Sequence, residues 1–446
     1  MKTAMKTIIR KTAKLFTVFA TLAATCIGSS TSRALVCLDC IGDEGGGSGG
    51  SPSTIGTLSG CVTATEARVN TAVSDTGLLW TSRSGDTMSI RRVLIRLRVG
   101  GSSTETFTMT GDDGCYSVTW SRIGGSFPAS GELAVIWASP DMALDSQQTT
   151  APSRLFTIHD GPLYGDLVTT RSVSMNANTT RNVTVTSGEK EAAYLTAEEF
   201  YARVVRQSAT LLNTMKGVAV HINSVPFSAV TPNALDVHMS GGTAVANAFT
   251  EAHELGHMVA WRSFGLALTP FRADFMDYMC DSNPTHSWTS IECEKAAWNE
   301  GFASLVGAAW MWARSAPRPV IPVITSGFNL ENGTCTTPGR NNEGCQAKAL
   351  WDIYDNPVGD DDGIQGRSMV SITRVLRAYP DHCIVPFVSD NRCSNEGDPI
   401  GLNAFDLNAL NHLDFRGNWS AELGSTQIPL IDAIYTQNSL VGGDNN

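Results

Sequence analysis

The sequence predicts a multidomain chain in which an N-terminal all-β sandwich is followed by a mainly α (α+β) domain. Two observations carry this. Between about Thr57 and Ser187 the chain is rich in Thr, Ser, Val and Gly, with short alternating runs such as 89–99, SIRRVLIRLRV, set apart by turn clusters such as Gly111-Asp112-Asp113-Gly114. Around Thr196 the character shifts, and from Phe200 the apolar residues instead recur at helical spacing. The domains are therefore expected at 57–188 and 189–446, preceded by two segments of different character.

The first of these is 1–34. Lys2, Lys6, Arg10, Lys11 and Lys14 precede an apolar run from Leu15 to Ile27 and a small-x-small site, Ser32-Arg33-Ala34, the pattern of a secretory signal peptide. A secreted, periplasmic or extracellular protein is expected, with lipid attachment at Cys26 as the alternative, although Thr25 before it fits that signal poorly. The apolar run is too short to span a bilayer and no later run reaches 18 residues, so no transmembrane segment is expected. Residues 35–56 include the Gly/Ser-rich tract of a flexible linker. Loss of 1–34 removes six basic and no acidic residues, which takes the net charge from −11 to −17 and argues against nucleic acid or anionic membranes as partners. Ten of the 11 cysteines remain, an even number that suggests disulfides in an exported chain. Proximity in sequence favours Cys280–Cys293, Cys335–Cys345, Cys383–Cys393 and the local pair Cys37–Cys40, with Cys61–Cys115 spanning the β module.

Within the β module, Thr104 to Trp120, TETFTMTGDDGCYSVTW, resembles the strand, turn and aromatic-bearing strand of prealbumin-like modules attached to secreted peptidases. His159 and Asp160 have no partner pattern and are expected in a turn. The second domain opens with Thr196-Ala197-Glu198-Glu199, a capping-box pattern, and a helical stripe from Phe200 toward Lys216 that Gly217 ends. Val218–Ile222 and Leu235–Ser240 read as strands. His238, alternating with Val237 and Met239, faces either a cleft or a polar sheet edge.

The chemistry concentrates in 247–265, NAFTEAHELGHMVAWRSFG. His253 and His257 are four residues apart, so a helix projects both imidazoles from one face, and Val245, Phe249, Ala252, Gly256, Ala260 and Phe264 follow the same period. Two imidazole nitrogens at about 2.0–2.1 Å from one ion are half of a tetrahedral zinc site, and Glu254 beside them is placed to take a proton from zinc-bound water. A third ligand must come from elsewhere. The metzincin solution fails, because Ala260 and Ser263 stand where Gly and His would be needed.

The strongest candidate is Glu300, in the helical stretch 294–314. Ala296, Ala297, Ala303, Ser304, Gly307 and Ala308 share its face, a stripe of small residues that lets another helix approach closely, while Trp298, Phe302, Leu305, Val306 and Ala309 supply core. Asp274, Asp277, Glu292 and Glu294 remain competing carboxylates. His253-Glu254-Leu255-Gly256-His257 followed by Asn299-Glu300-Gly301-Phe302-Ala303 resembles the gluzincin peptidases, in which a Glu of a second helix completes the zinc site. The resemblance covers roughly 235–314 and implies a zincin-like metallopeptidase domain with His253, His257 and Glu300 as ligands of one catalytic Zn2+, Glu254 as general base, and a protein or peptide as substrate. The stretch between the two helices is longer than in thermolysin-like enzymes. An oxyanion donor is open among Tyr278, His286, Tyr354, His382 and His412. Asp352 and Asp355 are candidates to orient the histidines or to cap a helix. Asp360-Asp361-Asp362-Gly363 offers oxygen donors for Ca2+ but lacks EF-hand spacing, with a solvated acidic turn as the alternative. The C-terminal third is expected to be mainly helical, clearest at 369–376 and 402–413. A different class also fits this sequence: a peptidase fold retained for binding or adhesion without turnover.

Overall fold

The structure, a computed structural model, describes residues 53–65, 87–100, 105–123, 126–141, 148–161, 165–186, 188–225, 228–231, 236–242, 248–263, 294–316, 319–321, 328–335, 339–355, 366–377 and 412–440. The expected signal peptide and nearly all of the linker, with Cys26, Cys37 and Cys40, lie outside these residues, as do Cys280, Cys293, Cys383, Cys393 and the 360–363 acidic run.

The first strands are β1 (Ser53–Thr65), β2 (Thr87–Ser89), β3 (Leu94–Val99), β4 (Glu105–Met109), β5 (Cys115–Ile123) and β6 (Ala129–Ile136). β7 (Ala138–Pro140), β8 (Arg154–Asp160), β9 (Val168–Met175), β10 (Asn178–Thr180) and β11 (Val183–Thr186) follow. β1 starts at Ser53, inside the stretch expected as linker, because its first residues already pair with β5. It is the hub of one sheet, carrying β10 and β11 on one side and β2 and β5 on the other, while β4-β3-β6-β9 form a second. Side chains alternate across a strand, so every second residue points the same way. Leu58 and Val62 of β1, Val118 and Trp120 of β5, Leu97 and Val99 of β3, and Leu133 and Val135 of β6 accordingly share one apolar core. A disulfide joins Cys61 to Cys115, directly opposed in the β1–β5 register. The turn before β5 requires glycine: Gly114 has φ +79° and a Cβ there would lie 2.9 Å from that of Ser89.

A third sheet has the order β13-β14-β12-β8-β7, with β12 (Val218–Val225), β13 (Ala229–Thr231) and β14 (Asp236–Ser240). β8 runs parallel to β12, and β12 parallel to β14. His159 and Asp160, expected in a turn, therefore lie in β8. Leu155, Phe156 and Ile158 bury that strand, and its partner is some 60 residues away in sequence, where no local signal reaches.

Helix α1 (Glu189–Arg203) begins seven residues before the expected Thr196. Thr196 lies mid-helix, its hydroxyl donating to the Ala192 carbonyl, and the box closes instead where Glu191 accepts from the Gly188 N–H. After a break, α2 (Ala209–Thr214) starts at Ser208, which accepts from the Leu211 N–H, and Gly217 at φ +81° turns the chain into β12. Glu198 of α1 is buried and gripped by Arg206 at 2.7 and 3.1 Å, with Arg92 of the β-rich half 3.7 Å away. That ion cluster ties α1 to the turn leading into β3.

The remaining described helices are α3 (Ala248–Ser263), α4 (Glu294–Met311), α5 (Glu343–Tyr354), α6 (Met369–Arg377), α7 (His412–Leu423) and α8 (Ile428–Gln437). α3 packs on α4, α4 on α5, and β13 and β14 lie against α3. Trp298 stacks on Phe302 and meets Phe415 of α7, and Leu305 and Val306 are fully buried beside them. Cys335 and Cys345 are held as separate thiols rather than joined, their side chains within hydrogen-bonding reach of each other.

Candidate metal centre

Small residues decide how α3 meets α4. A Cβ on Gly256 would stand 2.7 Å from the Ala303 carbonyl oxygen and 2.9 Å from its Cα, and one on Gly307 would stand 2.9 Å from the Phe249 ring. Gly256 is one turn past His253 on α3, and Ala303 nearly one turn past Glu300 on α4. The tightest backbone approach thus adjoins the functional side chains, and a short carboxylate can cross to the neighbouring helix.

Across that seam the Glu300 Oε2 lies 3.0 Å from the His253 Nε2 and 3.2 Å from the His257 Nε2, and the two Nε2 atoms are 3.1 Å apart. Donor atoms about 2.0–2.1 Å from a tetrahedral zinc ion lie ~3.3–3.4 Å from one another, close to each edge of this triangle. All three residues are buried, and Glu254, the next residue after His253, is buried with them. Among the described residues this is the one group of three or more His, Cys, Asp or Glu side chains able to hold a metal ion together.

The ring orientation follows from the other side of His253. Its Nδ1 is 2.9 Å from the Ser304 Oγ, and that hydroxyl donates to the Glu343 Oε1 at 3.3 Å. With its proton committed to Glu343, the serine oxygen accepts from the Nδ1–H. The neutral ring therefore turns an Nε2 lone pair toward Glu300 and His257, and a proton taken there instead makes that atom a donor to Glu300. Burial alone would raise the Glu300 carboxyl, but the charge of His257 and hydrogen bonds from His253 and His257 outweigh it and hold the group down at about 2. A carboxylate and ring lone pairs within about 3 Å of each other call for a cation among them.

Of the competing carboxylates, Glu294 is the first residue of α4, 3.7 Å from Arg340, while Asp274, Asp277 and Glu292 lie outside the described residues. Tyr278, His286, His382 and the His412 side chain also lie outside them. Tyr354 packs on Trp351 under the Arg314 guanidinium, eleven residues or ~16 Å along α5 from Glu343. Asp352 is taken up by Lys348 at 3.4 Å and Asn438 at 2.8 Å, and Asp355 follows the last turn of α5. The α5 carboxylate linked to His253, through Ser304, is Glu343, at the opposite end of the same helix. Sequence reasoning counted Ser304 only as a small residue and passed over Glu343. The available signal for the first was its position four residues after Glu300, on the same helix face. For the second it was the Asn342 cap, whose Oδ1 accepts from the Cys345 N–H at 3.0 Å and starts α5 there.

Comparison with known protein families, with curated proteins and with solved structures returned no match for this chain.

Proposed function

We propose that this chain is an exported zinc-dependent peptidase, with a zincin-like second domain of gluzincin type and a β-sandwich before it. The observation that carries the proposal is the buried triangle of His253, His257 and Glu300 donors, with edges of 3.0 to 3.2 Å, between α4 and α3, the helix that also places Glu254. His253, His257 and Glu300 would hold the ion through two neutral nitrogens and one carboxylate oxygen. Bound there, zinc would supply Lewis acidity, polarising a peptide carbonyl and making water more acidic. Glu254 would accept the proton of the attacking water on its carboxylate and return it to the departing amine. Ser304 and Glu343 fix the His253 ring and its tautomer, so the Nε2 is presented without a proton. Beside α3 the third sheet ends in β13, whose edge offers backbone groups to an extended peptide, which suits a protein or peptide substrate.

The test is the zinc content of purified protein together with cleavage of casein or a mixed peptide library, beside Glu254→Gln. Stoichiometric zinc and cleavage that Glu254→Gln abolishes support the reading. Zinc-containing wild type that cleaves no better than Glu254→Gln favours a peptidase fold kept for binding or adhesion at the cell exterior.

A further inference from the structure

Three of the eight histidines, none of them part of the metal centre, lie in one row across the third sheet. The strand registers align His159 of β8 with His221 of β12, and His221 with His238 of β14. The rings stack, with centroids 4.9 Å apart for His159–His221 and 5.0 Å for His221–His238, interplanar angles being 25° and 21°. Period-two alternation explains the placement: Val218, Val220, Ile222, Val237 and Met239 turn to the apolar core, leaving His221, His238 and Asp236 on the other face. Most of that face is covered, since His221 is fully buried and His159 is 6% exposed, while His238 keeps partial exposure.

The hydrogen bonds fix two protonation sites. The His221 Nδ1 is 2.9 Å from the Gly161 carbonyl and the His159 Nδ1 3.1 Å from that of Gly165; a carbonyl only accepts, so both rings carry their proton on Nδ1. The His238 Nδ1 is 3.2 Å from the Ser224 Oγ. A further proton must enter at an Nε2. Asp236 lies 3.5 Å from the His221 Nε2 and can balance one imidazolium. The other charged groups beside the row, among the described residues, are Asp166, engaged by Arg154 at 2.9 Å, and Asp160, 3.5 Å from the Asn223 amide. A second imidazolium would sit one ring away from the first, out of water at His159 and partly so at His238.

We propose that the His159–His221–His238 row is a proton-sensitive latch: uncharged, it fastens β14 to β12 and β8, and multiple protonation releases β14, the strand that leads into the metal-centre helix. Burial, followed by the neighbouring His221, pulls His238 below the ordinary imidazole value; His159 is lowered chiefly by burial as well, with His221 adding to it. The sign follows: with folded values below 6.5, the stabilisation is complete above that pH and drains away as pH falls beneath it.

The experiment is hydrogen exchange of the full chain in chelator, so that metal release at His253 and His257 plays no part, at about pH 7.5 and about pH 5, where imidazoles change charge. After correction for intrinsic rates, β14 protection in wild type is expected to fall roughly tenfold or more relative to β1 on acidification, and this extra loss disappears in His159→Gln/His238→Gln. Protection of β14 that tracks β1 at both pH values, or an equal acid loss in the double variant, overturns the proposal. Should the double variant not fold, ring titration of wild type by NMR decides: His159 and His238 titrating below the ordinary value supports the latch, and titration at or above it overturns it.

Discussion

Ser304→Ala tests whether His253 is oriented as the geometry indicates. The substitution removes one oxygen from a fully buried site and leaves the α3–α4 seam intact, because Ser304 and Ala have nearly the same volume. What it takes away is the acceptor for the His253 Nδ1–H at 2.9 Å and the donor to Glu343 at 3.3 Å. Loss of a hydrogen-bonding partner behind a metal-ligating histidine typically weakens metal binding by about 10–100-fold, or ~1.4–2.7 kcal/mol. The Glu343 carboxylate, 2% exposed, also loses that donor, so a further ~1–3 kcal/mol of folding stability is expected to go. Zinc affinity measured by competition with a chromophoric chelator reads the first effect, and chemical denaturation in chelator the second. Glu343→Gln keeps an acceptor at the same place and should cost less in both. Because the two residues act through one chain of hydrogen bonds, Ser304→Ala and Glu343→Ala should overlap in a double-mutant cycle. Wild-type zinc affinity in Ser304→Ala, or full additivity of the two, would refute the relay.

Other substitutions divide the site by role. Glu254→Gln should retain zinc and lower turnover by roughly 10²–10⁴-fold, measured on a cleaved peptide. Glu300→Gln should lose zinc in a dialysis assay while leaving the secondary structure seen by circular dichroism. Gly256→Ala forces a Cβ to within 2.7 Å of the Ala303 carbonyl oxygen, so the helices must part; a cost of ~1–3 kcal/mol and weaker zinc binding are expected, read by denaturation and chelator competition. In chelator, the Glu300 carboxylate, held well below its ordinary 4.5 by the charge of His257 and hydrogen bonds from both histidines, contributes stability that is present above 4.5 while the imidazoles are protonated and is lost as pH falls through the lowered value; acid titration of wild type against Glu300→Gln should therefore converge below 4.5. Arg206→Ala leaves the buried Glu198 carboxylate without its bidentate partner and should cost ~3–5 kcal/mol in denaturation.

How far the sequence reached depends on how local each signal is. The α3 reading rested on a period repeated over four turns and on two histidines one turn apart, and the helix spans Ala248–Ser263 within the 247–265 stretch. The α1 start was misplaced because a Thr-x-x-Glu pattern looks the same at a helix end and in its interior. Only the path of the chain shows that Thr196 bonds back to Ala192. The parallel pairing of β8 with β12 left no local trace, which is why His159 read as a turn residue.

The candidate site shows the same division. His253, Glu254 and His257 share one helix, so spacing alone groups them. Glu300 was reached by a physical inference, that a stripe of small residues marks where two backbones touch, and the Gly256–Ala303 approach lies within that stripe. Ser304 and Glu343 needed a third helix, α5, whose register against α4 is set where Gly301 would place a Cβ 2.5 Å from that of Gln346. That register brings the first turn of α5 to Ser304 and carries Asp352 some nine residues, or ~13 Å, further along. Both α5 acids considered from sequence, Asp352 and Asp355, belong to the far end of the helix for this reason. A partner behind a ligand is chosen by which end of a neighbouring helix arrives, a property of packing between elements that residue spacing within one element does not encode.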